Sequence, residues 1–280
     1  MPDTRRLADY HCHCDYSIDA TGSIDEYCLA AIRRGLTEVC FTTHYDSNPD
    51  SRGKVNFIRV RGDKRPTTPE SLAFYVEDVR HAHDKYYPLG LSVKLGVEFG
   101  WYAGCEENVR RLSEQFAFDY ILCGIHELDN LCFCSRANFE QCFSLYQVDE
   151  ITERYAAQVI RAAESGLFNT IAHLDYIKKY GARFYGPLLG EAFANHLPEI
   201  FAALRLSGTA LEINTAGVRN GPGDYYPSAE IITRARGAGV DVTYLGSDAH
   251  CPEHVGFDFE AASLLQSDSV GVCGGVVRGA

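Results

Sequence analysis

The segment LADYHCHCDYSIDATGSIDEYCLAAIRRGLTEVCFTTHYD, residues 7–46, reads as one strand, helix and strand unit with metal-ligand side chains where each strand stops. Leu7 to His11 is a β-rich run. His11 and His13 stand one residue apart at its end, so strand alternation points both imidazoles to the same side. Ser23-Ile24-Asp25-Glu26 has the form of a capping box, in which Ser23 and Glu26 satisfy each other's backbone N–H groups, and Gly35 closes the helix that follows. Val39 to Thr43 is the second β-rich run, and it stops at His44.

The same alternation of short strands and longer helical segments continues along the chain, which predicts an α/β fold with a largely parallel sheet. Further strands are expected at Ser92 to Glu98, Tyr120 to Gly124, Thr170 to His173, Ala210 to Asn214 and Val242 to Gly246, with a weaker run at Val270 to Val277. Helices are expected at Pro69 to Tyr86, Glu106 to Gln115, Glu150 to Ser165, Gly190 to Leu206 and Ser228 to Ala238. No repeat, low-complexity tract or linker divides the chain, so residues 1–280 are read as a single domain. His11, His44, Glu98, His126, His173 and Asp248 each fall at or just after the C-terminal end of a different strand. A parallel barrel gathers those ends on one face, whereas an open doubly wound sheet would gather fewer of them.

Composition narrows the class. With 280 residues, 46% of them hydrophobic, the chain is long enough for one large core. A formal net charge of -12 argues against a general nucleic-acid binder, which needs a basic face. No long apolar run or secretory segment is present, so a cytoplasmic protein away from membranes is expected, its eleven cysteines reduced. Cys12 and Cys14 alternate with the first histidines and read as small buried residues. The group Cys132, Cys134 and Cys142 lacks zinc-ribbon spacing and is not read as a zinc site. His81, His83, His196 and His254 lack a partner carboxylate in their local context and read as surface or satisfied core residues. The chain carries no nucleophile elbow, phosphate loop or dinucleotide fingerprint.

What remains is an ordered set of metal ligands: His11 and His13, Asp19, His44, Glu98, His126, His173, and the pair Asp248 and His250. Imidazole suits Zn, Fe and Mn, and carboxylates can bridge two cations; Glu98 is the natural bridge. Two cations about 3.5 to 4 Å apart lower the pKa of a shared water toward neutrality, so hydrolysis proceeds without an amino-acid nucleophile. The sequence therefore reads as that of a multinuclear metal hydrolase.

The motifs His11-Cys12-His13, Thr42-Thr43-His44, Val97-Glu98, Gly124-Ile125-His126, Ala172-His173-Leu174-Asp175 and Gly246-Ser247-Asp248-Ala249-His250 resemble the PHP family of metal phosphoesterases, most closely its histidinol-phosphate phosphatase branch. The resemblance implies a distorted seven-stranded (β/α)7 TIM-like barrel holding two or three divalent ions, Zn, Mn or Fe. Its ligand pattern would give His11, His13, Glu98 and Asp248 to a first ion. Glu98, His126 and His173 would hold a second, and Asp19, His44 and His250 a third. Cys14, Ala20 and Thr43 depart from the residues that usually accompany these motifs.

Asn214-Thr215-Ala216-Gly217-Val218-Arg219 looks like the family segment whose arginine binds phosphate, and Lys178 is a second phosphate candidate. Asp248, Glu98 and Arg219 are then the expected catalytic residues. The implied reaction is hydrolysis of a small phosphorylated substrate, L-histidinol phosphate, to L-histidinol and phosphate in histidine biosynthesis, with no stable nucleic-acid partner. Alternatives are a PHP phosphoesterase for nucleotides or short nucleic-acid ends, a metal-dependent amidohydrolase, and a noncatalytic metal-binding regulator. Two segments flank the expected site. Asp46 to Pro66 is rich in Arg and Lys and reads as a steering surface or a solvated loop. Leu128 to Val148, with Phe133, Phe139, Phe143 and Tyr146, reads as a lid or one wall of the substrate pocket, or as a packed-down loop.

Overall fold

The sheet follows the expected alternation. In the computed structural model, which describes residues 7–52, 56–221 and 223–266, seven strands pair in parallel in chain order. They are β1 (Ala8–Cys12), β2 (Glu38–Phe41), β3 (Ser92–Gly100), β4 (Tyr120–Gly124), β5 (Thr170–Ile171), β6 (Ala210–Asn214) and β7 (Tyr244–Gly246). The ring closes where Cys12 forms a parallel bridge to Ala249 and the His13 N–H donates to the Ala249 carbonyl at 2.8 Å. The chain therefore forms a nearly closed seven-stranded α/β barrel. The weak run at Val270 to Val277 lies outside the described residues. Among the described residues no helix is long and apolar enough to cross a membrane.

Local chemistry sets the elements. Ser23 Oγ accepts the Glu26 N–H at 3.4 Å while Glu26 Oε2 accepts the Ser23 N–H at 2.7 Å, the reciprocal box that starts helix Ile24–Arg33. Thr68 caps helix Pro69–Tyr86, whose proline sits where a missing N–H costs nothing. The single helix expected over 190–206 is two, Leu188–Ala194 and Leu197–Ser207. The break falls at Asn195-His196, just ahead of Pro198, which cannot donate to a preceding turn and restricts the residue before it. The basic stretch is no featureless loop but contains an antiparallel hairpin of Phe57–Val60 with Asp63–Pro66. After β4, Glu127–Leu128 pairs with Leu131–Cys132, and helix Phe139–Phe143 follows. Phe133 and Phe143 are buried, so this segment is packed down onto the barrel.

The barrel is filled at its strand starts and polar at its strand ends. Tyr10, Tyr120 and Tyr244 meet with ring centroids 4.9 Å apart in each pair and fill the interior at the N-terminal end. Such aromatic pairs contribute about 0.5 to 1.5 kcal/mol each beyond their buried area. Relative to β2, β1 carries one extra residue between Asp9 and Cys12. A bulge re-aims side chains. Consecutive residues Tyr10 and His11 thereby both reach across the barrel, one to the tyrosines and the other to Glu212 on β6.

Candidate metal centre

Glu98 is the middle of the site. It sits near the end of β3, fully buried, and five imidazoles approach its two oxygens. His173 Nε2 lies 3.0 Å and His126 Nε2 3.3 Å from Oε1, and His44 Nδ1 lies 2.7 Å from Oε2. His11 and His13 Nε2 are each 3.5 Å from Oε2. His44 reaches this position because His44–Tyr45 pairs with β3 at Glu98 and Phe99. His126 and Glu98 fit together because residue 124 is glycine: a Cβ there would stand 2.5 Å from the His126 ring and 2.6 Å from Glu98 Oε1.

A second carboxylate, Asp248, projects from the loop after β7. Its Oδ1 lies 3.4 Å from His13 Nε2, 3.7 Å from His11 Nε2 and 3.4 Å from His250 Nδ1. Asp19 Oδ2, half in solvent, faces His250 Nε2 at 3.4 Å and His44 Nε2 at 3.8 Å. All nine expected ligands thus meet at one mouth of the barrel. His173 and Asp248 have left-handed backbone, φ 33 and 50, a conformation that costs non-glycine residues energy and recurs where function fixes geometry.

Some of these atoms are buried without being satisfied. His11 Nε2 and His13 Nε2 meet at 2.9 Å, but Glu98 Oε2 and His44 Nδ1, although 2.7 Å apart, are both buried with no hydrogen-bond partner. Several sets of three donors lie within 4.8 Å of one another, including His11, His13 and Glu98, and Glu98, His126 and His173. Lone pairs converging on common points, from imidazoles and carboxylates, fit a divalent cation.

The electrostatics agree with that chemistry. Burial pushes Glu98 up, but the imidazoles of His126, His11 and His44 outweigh it and hold the carboxyl well below its usual range. Asp248 is likewise opposed by burial and held down by His11, His13 and His250. His13 is driven well below its ordinary value by burial and by His44 and His250, which keeps it neutral, the form that ligates. His11 is pressed down by burial yet raised overall by Glu212, Asp248 and Glu98.

Three supporting residues escaped the sequence reading. Glu212 on β6 receives His11 Nδ1 at 2.9 Å and also accepts the His173 N–H at 2.8 Å and Asn214 Nδ2 at 2.9 Å. A single carboxylate inside the apolar strand Ala210–Asn214 was its available signal, since a buried charge needs partners. Asp46 Oδ1 lies 3.4 Å from His126 Nδ1, and its signal was the spacing two residues after His44. Arg59 is the third. Its guanidinium donates to the carbonyls of Asp15, Ser17, Ala20 and Ile18 at 2.9, 3.2, 3.0 and 2.7 Å, tying down the loop that carries Asp19. This member of the basic stretch holds backbone and does not steer anions.

A cavity of about 410 Å³ opens over the ligands, walled in part by Asp19, His126, Asp248, Tyr176 and Lys179. Lys178, expected at the phosphate, is turned away: its ammonium pairs with buried Asp175 at 2.8 Å and donates to the Tyr225 carbonyl at 2.7 Å. Helix Lys178–Tyr185, which the sequence reading did not anticipate, turns the neighbouring Lys179 into the cavity wall instead. Arg219 Nη2 donates to the Ser247 carbonyl at 2.6 Å and to that of Asp248 at 3.3 Å, while its Nε and Nη1 are buried without a partner. It does not line the cavity directly.

A parallel barrel with buried carboxylates and imidazoles at its strand ends is the architecture of a metal-dependent hydrolase. The PHP domain family model matches residues 9–216, and the chain belongs to that family. It is 32% identical over 261 residues, 91% of each chain, to a protein of Deinococcus radiodurans named probable histidinol-phosphatase. It is 25% identical over 246 residues to the histidinol-phosphatase of Lactococcus lactis, covering 86% of this chain and 83% of that one. The fold superposes with a TM-score of 0.72 on the histidinol phosphate phosphatase of L. lactis complexed with zinc, L-histidinol and phosphate, at 22% identity over 93% of this chain and 92% of that one.

Proposed function

We propose that the protein is a metal-dependent phosphomonoesterase that hydrolyses L-histidinol phosphate to L-histidinol and inorganic phosphate. The observation that carries the reading is Glu98, buried and central, with five imidazoles around its two oxygens. The similarity over nine-tenths of the chain to a protein named as a probable histidinol-phosphatase supplies the substrate.

In this reading up to three ions occupy the site. His11, His13, Glu98 and Asp248 would hold the first, Glu98, His126 and His173 the second, and Asp19, His44 and His250 the third; the grouping of His11 with His13 and Glu98, and of Glu98 with His126 and His173, supports the first two. Divalent cations bound there would supply Lewis acidity toward phosphoryl oxygens and lower the pKa of a bound water. The protein does the remaining work. Glu212 keeps His11 Nδ1 protonated, so that Nε2 presents its lone pair to the site. Asp248, ionised and on the cavity wall, would take a proton from the attacking water. Lys179 offers a positive charge to the non-bridging oxygens, the task first expected of Lys178. Arg219 adds positive charge behind Asp248 and fixes the Ser247–Asp248 backbone.

The test is phosphate release by purified protein supplied with Zn or Mn, on histidinol phosphate beside a nucleoside monophosphate and an aryl phosphate, with His126→Ala as control. Strong preference for histidinol phosphate, lost in the variant, supports the reading. Equal or faster nucleotide turnover overturns the substrate while keeping the metal chemistry.

A further inference from the structure

Cys132 and Cys134 lie in the wall of the same cavity, with their sulfurs 3.4 Å apart. Nothing in the hydrolytic reading uses them. Cys132 ends the hairpin strand Leu131–Cys132 and is buried, whereas Cys134 is partly exposed, one of two described cysteines, with Cys251, that are not buried. Phe133 between them is anchored inward against Phe143 and Tyr155, and its N–H donates to the His126 carbonyl at 3.2 Å. The chain bends after Cys132, and with Phe133 pinned inward the two flanking sulfurs meet on one side.

We propose that Cys132 and Cys134 are a site of reversible oxidation by a peroxide, forming a disulfide that alters catalysis in the neighbouring metal centre. The step balances. One sulfur attacks a peroxide oxygen to give a sulfenic acid and a water; the second attacks that sulfenic sulfur, forming the S–S bond and releasing another water. The two thiols lose two hydrogens and two electrons, and hydrogen peroxide is reduced to two waters. The sulfurs must close from 3.4 Å to about 2.05 Å. A disulfide between residues two apart closes a small ring through the intervening peptide units, which strains it away from its preferred geometry. Strained disulfides are the easily reduced, reversible ones. Closure also draws on backbone that is hydrogen-bonded to His126, a residue facing Glu98, and this links the thiols to the site.

The effect on turnover rests on the proposed phosphatase reading; the oxidation itself does not. The experiment treats zinc-loaded full-length enzyme with a slight excess of hydrogen peroxide, maps its peptides by mass spectrometry, and measures turnover of histidinol phosphate before oxidation, after it, and after reduction with dithiothreitol. The expected result is a peptide containing both cysteines that has lost two hydrogens, with turnover changed several-fold and restored by the reductant. In Cys134→Ser, compared with its own untreated state, the peroxide effect disappears. Absence of the linked peptide in the wild-type protein, which needs no variant, overturns the proposal. So does a linked peptide with unchanged turnover, or an equal peroxide effect in Cys134→Ser. If the reduced enzyme releases no phosphate at all, the phosphatase reading fails while the peptide map still reports on the thiols.

Discussion

Glu212→Gln tests the metal centre without touching a residue that faces a metal. Glu212 Oε1 accepts from the His173 N–H at 2.8 Å and from Asn214 Nδ2 at 2.9 Å, and Oε2 lies 2.9 Å from His11 Nδ1. The glutamine oxygen can replace Oε1, which lies 3.1 Å from His11 Nδ1, but its NH₂ replaces the nearer Oε2 and sets a donor against the same Nδ1–H. The weakened hold on Nδ1–H favours the other tautomer, with the proton on Nε2, and that removes the lone pair His11 offers to the site. Losing a carboxylate that orients a ligating histidine typically costs tenfold to hundredfold in metal affinity, or about 1.4 to 2.8 kcal/mol. The side chains are nearly isosteric, so the fold and far-UV circular dichroism should hold. Competitive zinc titration against a chelating indicator measures the loss directly. Zinc affinity equal to the parent's, in a folded variant, would refute both the tautomer argument and the place of His11 among the ligands.

Three further outcomes follow from contacts around the site. Gly124→Ala drives a methyl against the His126 ring and Glu98 Oε1; overpacking of this kind costs about 1 to 3 kcal/mol, and the variant should bind less zinc per chain and turn over more slowly while remaining folded. Arg59→Ala removes four hydrogen bonds to the loop carrying Asp19. It should lower the metal-to-protein ratio, measured by elemental analysis of the dialysed protein, more than it lowers the melting temperature. Lys178→Ala and Lys179→Ala should separate: the first strands the buried Asp175 carboxylate and destabilises by about 3 kcal/mol in urea unfolding, whereas the second raises the KM for the phosphate ester with little change in stability.

Sequence reasoning located the site better than it located its supports, for a physical reason. Ligands such as His11, His44 and Glu98 sit at strand ends, so a period-two pattern that stops marks their position along the chain. The fold follows from the same periodicity, with Tyr120–Gly124 and Ala210–Asn214 matching the observed strands residue for residue. Supporting contacts carry no such period. Arg59 wraps a loop 39 to 44 positions before it, and Glu212 lies 201 positions from His11. Such pairings become visible only once the chain has folded. Lys178 and Lys179 show the same limit at short range, since a helix starting at Lys178 decides which of two adjacent lysines faces the cavity.

The centre also shows why such a charged cluster survives in a barrel interior. Unpaired buried charges cost several kcal/mol each, and Glu98 and Asp248 are opposed by burial while nearby imidazoles hold them ionised. Imidazoles can do this only in part, because His13 is forced neutral by the histidines beside it. Glu98 Oε2 therefore remains a buried acceptor without a hydrogen bond, as does His44 Nδ1 beside it. A bound cation resolves this, since it accepts the lone pairs that the protein leaves unsatisfied. The metal-free protein should accordingly melt lower than the zinc-loaded protein. Each hundredfold excess of free zinc over its dissociation constant is worth about 2.7 kcal/mol, so calorimetry across a zinc series should show a steadily rising melting temperature. A melting temperature indifferent to zinc would mean that these buried atoms are already satisfied by protons, and that the argument from unsatisfied lone pairs is wrong.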